Sequence, residues 1–262
     1  MCCATGCSTE PSAAAAVSTS LDQLLRQQRV WRGNHVADAA AGALPTGYPR
    51  LDARLPGGGW PRAALVELLV ERHGIGELGL LMPVLARLSA AASVDGAHAG
   101  TPAAAQGTPR WLCWVAPPLL PYAPALAAQG IALERVLLVH PPTGGAAGRN
   151  AGHDSGYESG HDALWAAEQA LVSRHCAVVL VWSAHARTQA LRRLQLAAEA
   201  ADTLVVVFRP PAAAAQRSPA LLRLQLDGDG TLHVLKGRGM RPQRLSLAAL
   251  GIRAEEDRCP ER

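Results

Sequence analysis

The sequence lacks the features that would assign it to a membrane or secreted class. No apolar run approaches the ~20 residues that a membrane-spanning helix needs, so we expect no membrane partner. The first segment, MCCATGCSTEPSAAAAVSTS, has no basic stretch and no long apolar core, which indicates a disordered tail over residues 1–18 and no secretion signal. The chain is 49% hydrophobic and 18% charged, which is typical of a globular protein.

Metal-ligand and disulfide patterns are also missing. Four of the six cysteines lie near the chain ends, while Cys113 and Cys176 lie in apolar runs, where we expect small buried thiols. Cys3 and Cys7 are not followed by a second pair at ligand spacing, and the histidines fit no ligand pattern. We therefore expect no metal site and a reducing, cytoplasmic location.

What the sequence does contain is an alternation of apolar strands and amphipathic helices. Strands are predicted at 65–70, 111–115, 135–140, 176–183 and 203–208, and helices at 78–88, 122–130, 162–175 and 186–201. The central strands are apolar on both faces, which favours an α/β fold with a mostly parallel sheet flanked by helices. A C-terminal antiparallel hairpin is predicted over residues 221–237, around the turn DGDG.

These elements form one predicted domain over residues 44–250. Low-complexity segments at 94–109 and 141–161 are expected to be flexible inserts, and residues 251–262 a C-terminal tail. A helical segment is predicted within residues 19–43, with Leu21, Leu24 and Leu25 on one side. That helix either packs on its own domain or docks on a partner.

The stretch ERHGIGELGLL, from Glu71 to Leu81, follows the first long strand, where an α/β nucleotide-binding protein has its phosphate loop. Gly74 and Gly76 are predicted to shape a tight strand-to-helix turn. A phosphate loop needs a lysine and a hydroxyl residue after its last glycine, but here Glu77 and Leu78 follow. A carboxylate at Glu77 suits a helix N-terminus, by a few tenths of a kcal/mol to ~1 kcal/mol, and repels phosphate.

The order of motifs resembles the RecA recombinase family. It includes PTG, LD, LPGGGWPRAALVELLV, WVAPPLLPYAPALAAQGI and CAVVLVWS. In that pattern the first loop glycine falls on Glu71, the lysine on Glu77 and the magnesium-binding hydroxyl on Leu78. The water-activating glutamate falls on Pro118, and the strand-end aspartate on Trp182. The resemblance therefore implies a RecA-like fold that is not an enzyme, holds no cofactor and neither binds MgATP in the usual way nor hydrolyses it.

A narrower resemblance covers residues 28–250. VWRG, the long run from LPTGYPRLD to GELGLLMPVLARL, and LKGRG look like the translesion-synthesis-associated ImuA family, which is SulA-like. That family implies an SOS-induced accessory protein of error-prone DNA repair. The partners it implies are RecA, an inactive Y-family polymerase homologue and an error-prone DnaE-type polymerase. Two alternatives stay open, namely a SulA-like inhibitor of cell division and a residual ATP-binding regulator.

The densest basic run is KGRGMRPQR, with Lys236, Arg238, Arg241 and Arg244 and no acid. It is either a weak contact for DNA or an acidic partner, or a solvated loop after an edge strand. A second segment, Arg209 to Pro219, occupies the place of a DNA-binding loop in RecA. It holds two arginines and no aromatic residue for base stacking, so we expect a plain connecting loop.

Overall fold

The computed structural model describes residues 43–94, 110–141 and 155–252. Within them the strands, in chain order, are β1 (Ala43–Leu44), β2 (Trp60–Pro61), β3 (Leu65–Val70), β4 (Trp111–Val115), β5 (Val136–Val139), β6 (Cys176–Trp182), β7 (Leu204–Arg209), β8 (Leu222–Leu226), β9 (Thr231–Lys236) and β10 (Gln243–Ser246). The helices are α1 (Pro49–Asp52), α2 (Met82–Val94), α3 (Ala123–Ala128), α4 (Ser155–Val172), α5 (Thr188–Ala201) and α6 (Leu247–Leu250). The predicted helix before residue 43 lies outside the described residues.

Eight of these strands form one sheet in the order β10-β9-β8-β3-β7-β6-β4-β5. The six strands from β8 to β5 run parallel, and β9 and β10 are antiparallel to their neighbours. The predicted α/β fold, with a mostly parallel sheet flanked by helices and a C-terminal antiparallel hairpin, is confirmed. One difference is β10, which adds a third strand to the hairpin and takes the edge position from β9.

Helices cover both faces of this sheet. Leu85 of α2 and Leu126 of α3 are buried on one face, together with Trp60 from the segment before β3. Leu164 of α4 and Leu194 of α5 are buried on the other face. The central strands β3, β6 and β7 are buried along their whole length, which explains their apolar runs. Each fully buried leucine stabilises the fold by about 1.5–3 kcal/mol.

Two helices, α2 and α4, begin four or more residues from their predicted starts. Helix α2 begins at Met82 and not at Leu78, because the chain remains in turns as far as Leu81. Pro83 then lies in the first turn of the helix, where the missing N–H costs nothing. Helix α4 begins at Ser155, inside the segment 141–161 that was predicted to be a flexible insert.

The direction of the strands separates two edges of the sheet. The turn after β3 and the β8–β9 turn lie at the carboxyl edge of the parallel strands, where α/β proteins bind ligands. The β9–β10 connection, which carries the basic run, lies at the opposite, amino edge. The two candidate sites predicted from the sequence are therefore on opposite sides of the molecule.

Candidate functional site

The turn between β3 and α2 has the shape that its glycines predict. Gly74 has a φ of 86° and Gly76 a φ of 99°, both in the left-handed region that favours glycine. Gly74 is exposed and an added Cβ there would meet no atom within 4 Å, so its backbone conformation, and not crowding, requires glycine. The prediction that these glycines shape a tight strand-to-helix turn is confirmed.

The carboxylate of Glu77 closes this turn from inside. Its Oε1 accepts the N–H of Gly74 at 2.9 Å, and its Oε2 accepts the N–H groups of Gly74 at 3.1 Å and Ile75 at 3.0 Å. The residue is only 4% exposed. His73 lies beside it, with 3.9 Å between Nδ1 and Oε1. Backbone N–H groups that converge in a glycine turn form a cavity for an anion, and here a side chain of the same turn occupies it.

Of the other positions predicted for the phosphate loop, Leu78 and Glu71 supply no cation for a phosphate. Leu78 is half-buried against the core and has no ligand atom. Glu71 is exposed, and its Oε2 accepts the N–H of Gly228 in the β8–β9 turn at 3.3 Å. Tyr48 donates its hydroxyl to the carbonyl of Gly79 at 2.8 Å. The turn is thus fixed by its own carboxylate and by contacts to two other segments.

Pro118 lies in the loop after strand β4, and Trp182 is the last residue of the neighbouring strand β6. Pro118 is exposed and has no ionisable group. Trp182 is buried and stacks on Phe208, with ring centroids 4.5 Å apart and planes at 8°, and it also contacts Trp114. Stacked rings fill the strand ends by burial and by ring–ring contact. The place where a metal-binding aspartate would stand is therefore apolar core.

The loop after β4 presents apolar side chains to solvent, which the sequence analysis did not predict. Leu119 is 66% exposed, Leu120 80% and Tyr122 72%. Proline residues flank them on both sides and restrict the backbone. The sequence did contain a signal for an apolar surface here, because the chain carries no charged residue between Arg110 and Glu134. Exposed apolar clusters of this kind mark interaction sites.

A buried carboxylate in β3 was also missed. Glu67 is fully buried and forms ion pairs with Arg209 of β7, at 2.7 Å, and with Arg223 of β8, at 2.5 Å. Arg223 donates to the carbonyls of Ala213, Ala214 and Gln216, and so fixes the connection between β7 and β8. Arg209 is 3% exposed and cannot reach DNA, which agrees with a plain connecting segment here. The sequence did contain a signal for this ion pair, because an acidic residue inside an apolar strand is almost never buried without a partner.

The basic run is in the β9–β10 connection and its flanking strands. Lys236 ends β9, and its Nζ donates to the carbonyl of Ser218 at 2.9 Å. Partial burial, followed by the nearby Arg223, lowers the pKa of Lys236. Arg238, Arg241 and Arg244 are exposed. The alternative of a solvated loop after an edge strand is corrected in one respect, because the chain continues into β10 and Arg244 is part of that strand.

The two buried thiols lie on neighbouring strands, β4 and β6, and contact each other. A hydrogen bond between them raises the pKa of Cys113 and lowers the pKa of Cys176. Both residues belong to the core on the α4–α5 face, as predicted for small buried thiols.

Across the described part of the chain there is no group of three or more His, Cys, Asp or Glu residues that could hold a metal. No helix in residues 43–94, 110–141 and 155–252 has the length and apolarity to cross a membrane.

Comparison with known proteins gives little more than a distant likeness. No protein-family model matches the chain, and no curated protein matches it. Among solved structures it is similar to the crystal structure of SulA from Pseudomonas aeruginosa, with 23% sequence identity and a TM-score of 0.36. The match covers 55% of this chain and 97% of that one. A likeness at this level carries no argument about function.

Proposed function

We propose that this protein is a non-catalytic, RecA-like accessory protein of SOS-induced, error-prone translesion DNA synthesis. It acts through contacts with RecA, with a translesion polymerase complex, or with both, and it does not turn over nucleotide. The translesion role rests on the residue pattern of 28–250, which resembles the ImuA family. The absence of catalysis rests on the geometry of the turn between β3 and α2.

The observation that carries the proposal is the Glu77 carboxylate in the anion-binding turn. Three hydrogen bonds from two backbone N–H groups end on it, so these donors are not available to a phosphate. A phosphate would have to displace a nearly buried carboxylate and also approach its negative charge. Leu78, Pro118 and Trp182 offer no ligand that could compensate for this loss of phosphate binding. The site therefore supports the proposal that the fold acts through its surfaces.

The apolar loop after β4 supports action through protein contacts. Leu119, Leu120 and Tyr122 are exposed by about two-thirds or more, although each could be buried against a partner. Because prolines already restrict this loop, little backbone entropy is lost when a partner orders it. Leucine and tyrosine on a rigid loop are suitable anchors for an apolar pocket of another protein.

The decisive experiment is a pull-down of the tagged chain from cells treated with a DNA-damaging agent. We expect recovery of RecA or of a translesion polymerase subunit, and more of it after damage than before. A second arm uses the Leu119→Ser/Leu120→Ser variant, which we expect to recover less. If neither RecA nor a polymerase subunit is recovered after damage, the proposal is wrong.

The two alternatives make different predictions in separate assays. An inhibitor of cell division would cause filamentation when overproduced in cells that carry no DNA damage. A residual nucleotide regulator would bind labelled ATP with magnesium saturably at micromolar concentration. We expect neither result, and either one would replace the present proposal.

A further inference from the structure

The basic run is joined in the folded chain by a second basic segment. The side chain of Gln243 donates to the carbonyl of Arg54 at 2.9 Å, and the Arg50 guanidinium donates to the carbonyl of Ala249 at 2.8 Å. A Cβ added at Gly237 would lie 3.2 Å from Cγ of Pro56, so Gly237 lies close to the proline ring. Helix α1 and the turn after it therefore lie against the β9–β10 connection, nearly two hundred residues later in the sequence.

We define the basic surface as Arg50, Arg54, Lys236, Arg238, Arg241 and Arg244. All six side chains are exposed. In the two described segments that form it, 43–66 and 231–252, Asp52 is the only carboxylate. Its Oδ1 accepts the backbone N–H of Thr46 at 2.8 Å, so that oxygen already has a partner within its own segment. The surface thus carries an excess of positive charge that its own segments do not neutralise.

Protection of the sheet edge does not account for these charges. A cation on edge strand β10 discourages pairing with another chain, and Arg244 is enough for that role. Arg50, Arg54, Arg238 and Arg241 are not on β10. Their collection at one place from two distant segments therefore needs another explanation, and an anionic partner supplies it.

The chemistry of the surface distinguishes between two kinds of anionic partner. Protein interfaces have aromatic or aliphatic anchors at their centre, but every large exposed hydrophobic residue in the described chain lies between residues 111 and 196, outside these segments. Five of the six cations are arginines, whose planar donors bind phosphate bidentately. Interfaces with nucleic acid are the polar, strongly positive class.

We propose that the basic surface binds the phosphate backbone of DNA without regard to its sequence. It lies at the amino edge of the parallel strands, opposite the turn closed by Glu77, so it uses none of the degenerate nucleotide site. Arg54, Arg241 and Arg244 supply the principal contacts, and Arg238 adds to them. Arg50 and Lys236 contribute less, because each already donates to a backbone carbonyl.

This proposal goes beyond the proposed function, because it needs neither RecA nor a polymerase. The test is fluorescence anisotropy of the purified full chain with a labelled single strand and the duplex of the same sequence. In a plot of log binding constant against log salt concentration, each phosphate contact contributes about −0.9 to the slope. With about four contacts, duplex affinity should fall roughly 100-fold between about 50 and about 200 mM salt. A scrambled sequence should bind equally well.

Variants separate the basic surface from general positive charge. Arg54→Gln/Arg241→Gln, with one change in each segment, should lower the duplex slope by about 2, whereas Arg54→Lys/Arg241→Lys should keep most of it. The control, Arg192→Gln/Arg193→Gln, removes the same charge from the exposed face of α5 and should leave the slope unchanged. Urea unfolding of each variant shows whether it remains folded.

Three results would overturn the proposal. The first is no salt-dependent DNA binding by the natural chain at low salt. The second is an equal loss of affinity in the control pair and in the test pair. The third is binding of poly-glutamate as tight as that of DNA at the same charge concentration, which would indicate an acidic protein as the partner. Each result leaves the outcome of the pull-down unaffected, so failure here is distinguishable from failure of the proposed function.

Discussion

At the scale of single residues, two buried glutamates hold the carboxyl edge and the middle of β3 in place by different means. Glu77 receives backbone N–H groups of its own turn, while Glu67 receives the guanidinium groups of two other strands. The first arrangement is local in sequence. The second joins residues more than 140 positions apart, with sequence separations of 142 and 156. Loss of Glu77 removes the acceptor of two backbone N–H groups, and loss of Glu67 removes the counter-charge of two buried guanidinium groups.

Substitution of Glu77 by alanine should destabilise the fold by about 1–3 kcal/mol, because the N–H groups of Gly74 and Ile75 lose their acceptor and Ile75 is buried. Glu77→Gln should cost less, since the amide oxygen can accept one of these bonds. Urea unfolding measures both changes. The matched control is Glu71→Gln in the same turn, whose exposed carboxylate accepts one long bond and should change stability by under ~0.5 kcal/mol. Equal effects at residues 71 and 77 would contradict the closed-turn geometry.

Removal of the Glu67 carboxylate should have a larger effect. Glu67→Gln leaves Arg209 and Arg223 buried with uncompensated charge, so we expect a loss of about 3–5 kcal/mol in the free energy of unfolding. Glu168→Gln, which breaks the partly exposed pair with Arg193, is the control and should cost under ~1 kcal/mol. If Glu67→Gln behaves like Glu168→Gln, the ion pairs do not stabilise the fold.

At the scale of elements, the sequence predicted what is encoded locally. The strands β3, β4, β6 and β7 are apolar runs bounded by turn residues, and their predicted limits agree with the structure to within one residue. The start of α2 was placed four residues early, because its apolar spacing continues back through a turn that Glu77 stabilises. Strand β10 was missed, because QRLS has no apolar run and becomes a strand only by pairing with β9. The Glu67 ion pairs could not be assigned, because nothing local connects the three residues.

The loop after β4 should be separable from the fold that carries it. Leu119→Ser/Leu120→Ser should change the free energy of unfolding by under ~0.5 kcal/mol, since both side chains are mostly exposed. The same variant should lower partner recovery in the damage-dependent pull-down. Leu196→Ser, at an exposed leucine of α5, is the matched control and should lower neither quantity. Normal recovery with the double variant would exclude the loop as a contact surface.

At the scale of the whole molecule, the turn after β3 and the end of β6 both lack the groups that would bind a nucleotide and its metal. The fold positions a turn at the carboxyl edge of the sheet, but its donors are taken by Glu77, and Trp182 is stacked on Phe208 within the core. A single changed residue could be compensated by a neighbour. The occupied turn, the carboxylate at residue 77 and the stacked rings at the end of β6 together support the proposal that the sheet serves as a platform for contacts with other molecules. The surfaces that remain are the apolar loop at one edge and the basic surface at the other.

These combined features predict that MgATP does not stabilise the chain. A ligand present at about 100 times its Kd stabilises a folded protein by about 2.7 kcal/mol. For a domain of this size, such a gain raises Tm by about 5–10 °C. We therefore expect no shift in Tm with MgATP or MgADP at concentrations that would saturate a micromolar site, measured by calorimetry. Sodium tripolyphosphate with magnesium controls for unspecific anion effects at the basic surface, and any rise it causes should disappear in Arg54→Gln/Arg241→Gln. A nucleotide-dependent rise that persists in that variant would locate binding at the turn, and the description of Glu77 as its permanent occupant would then be wrong.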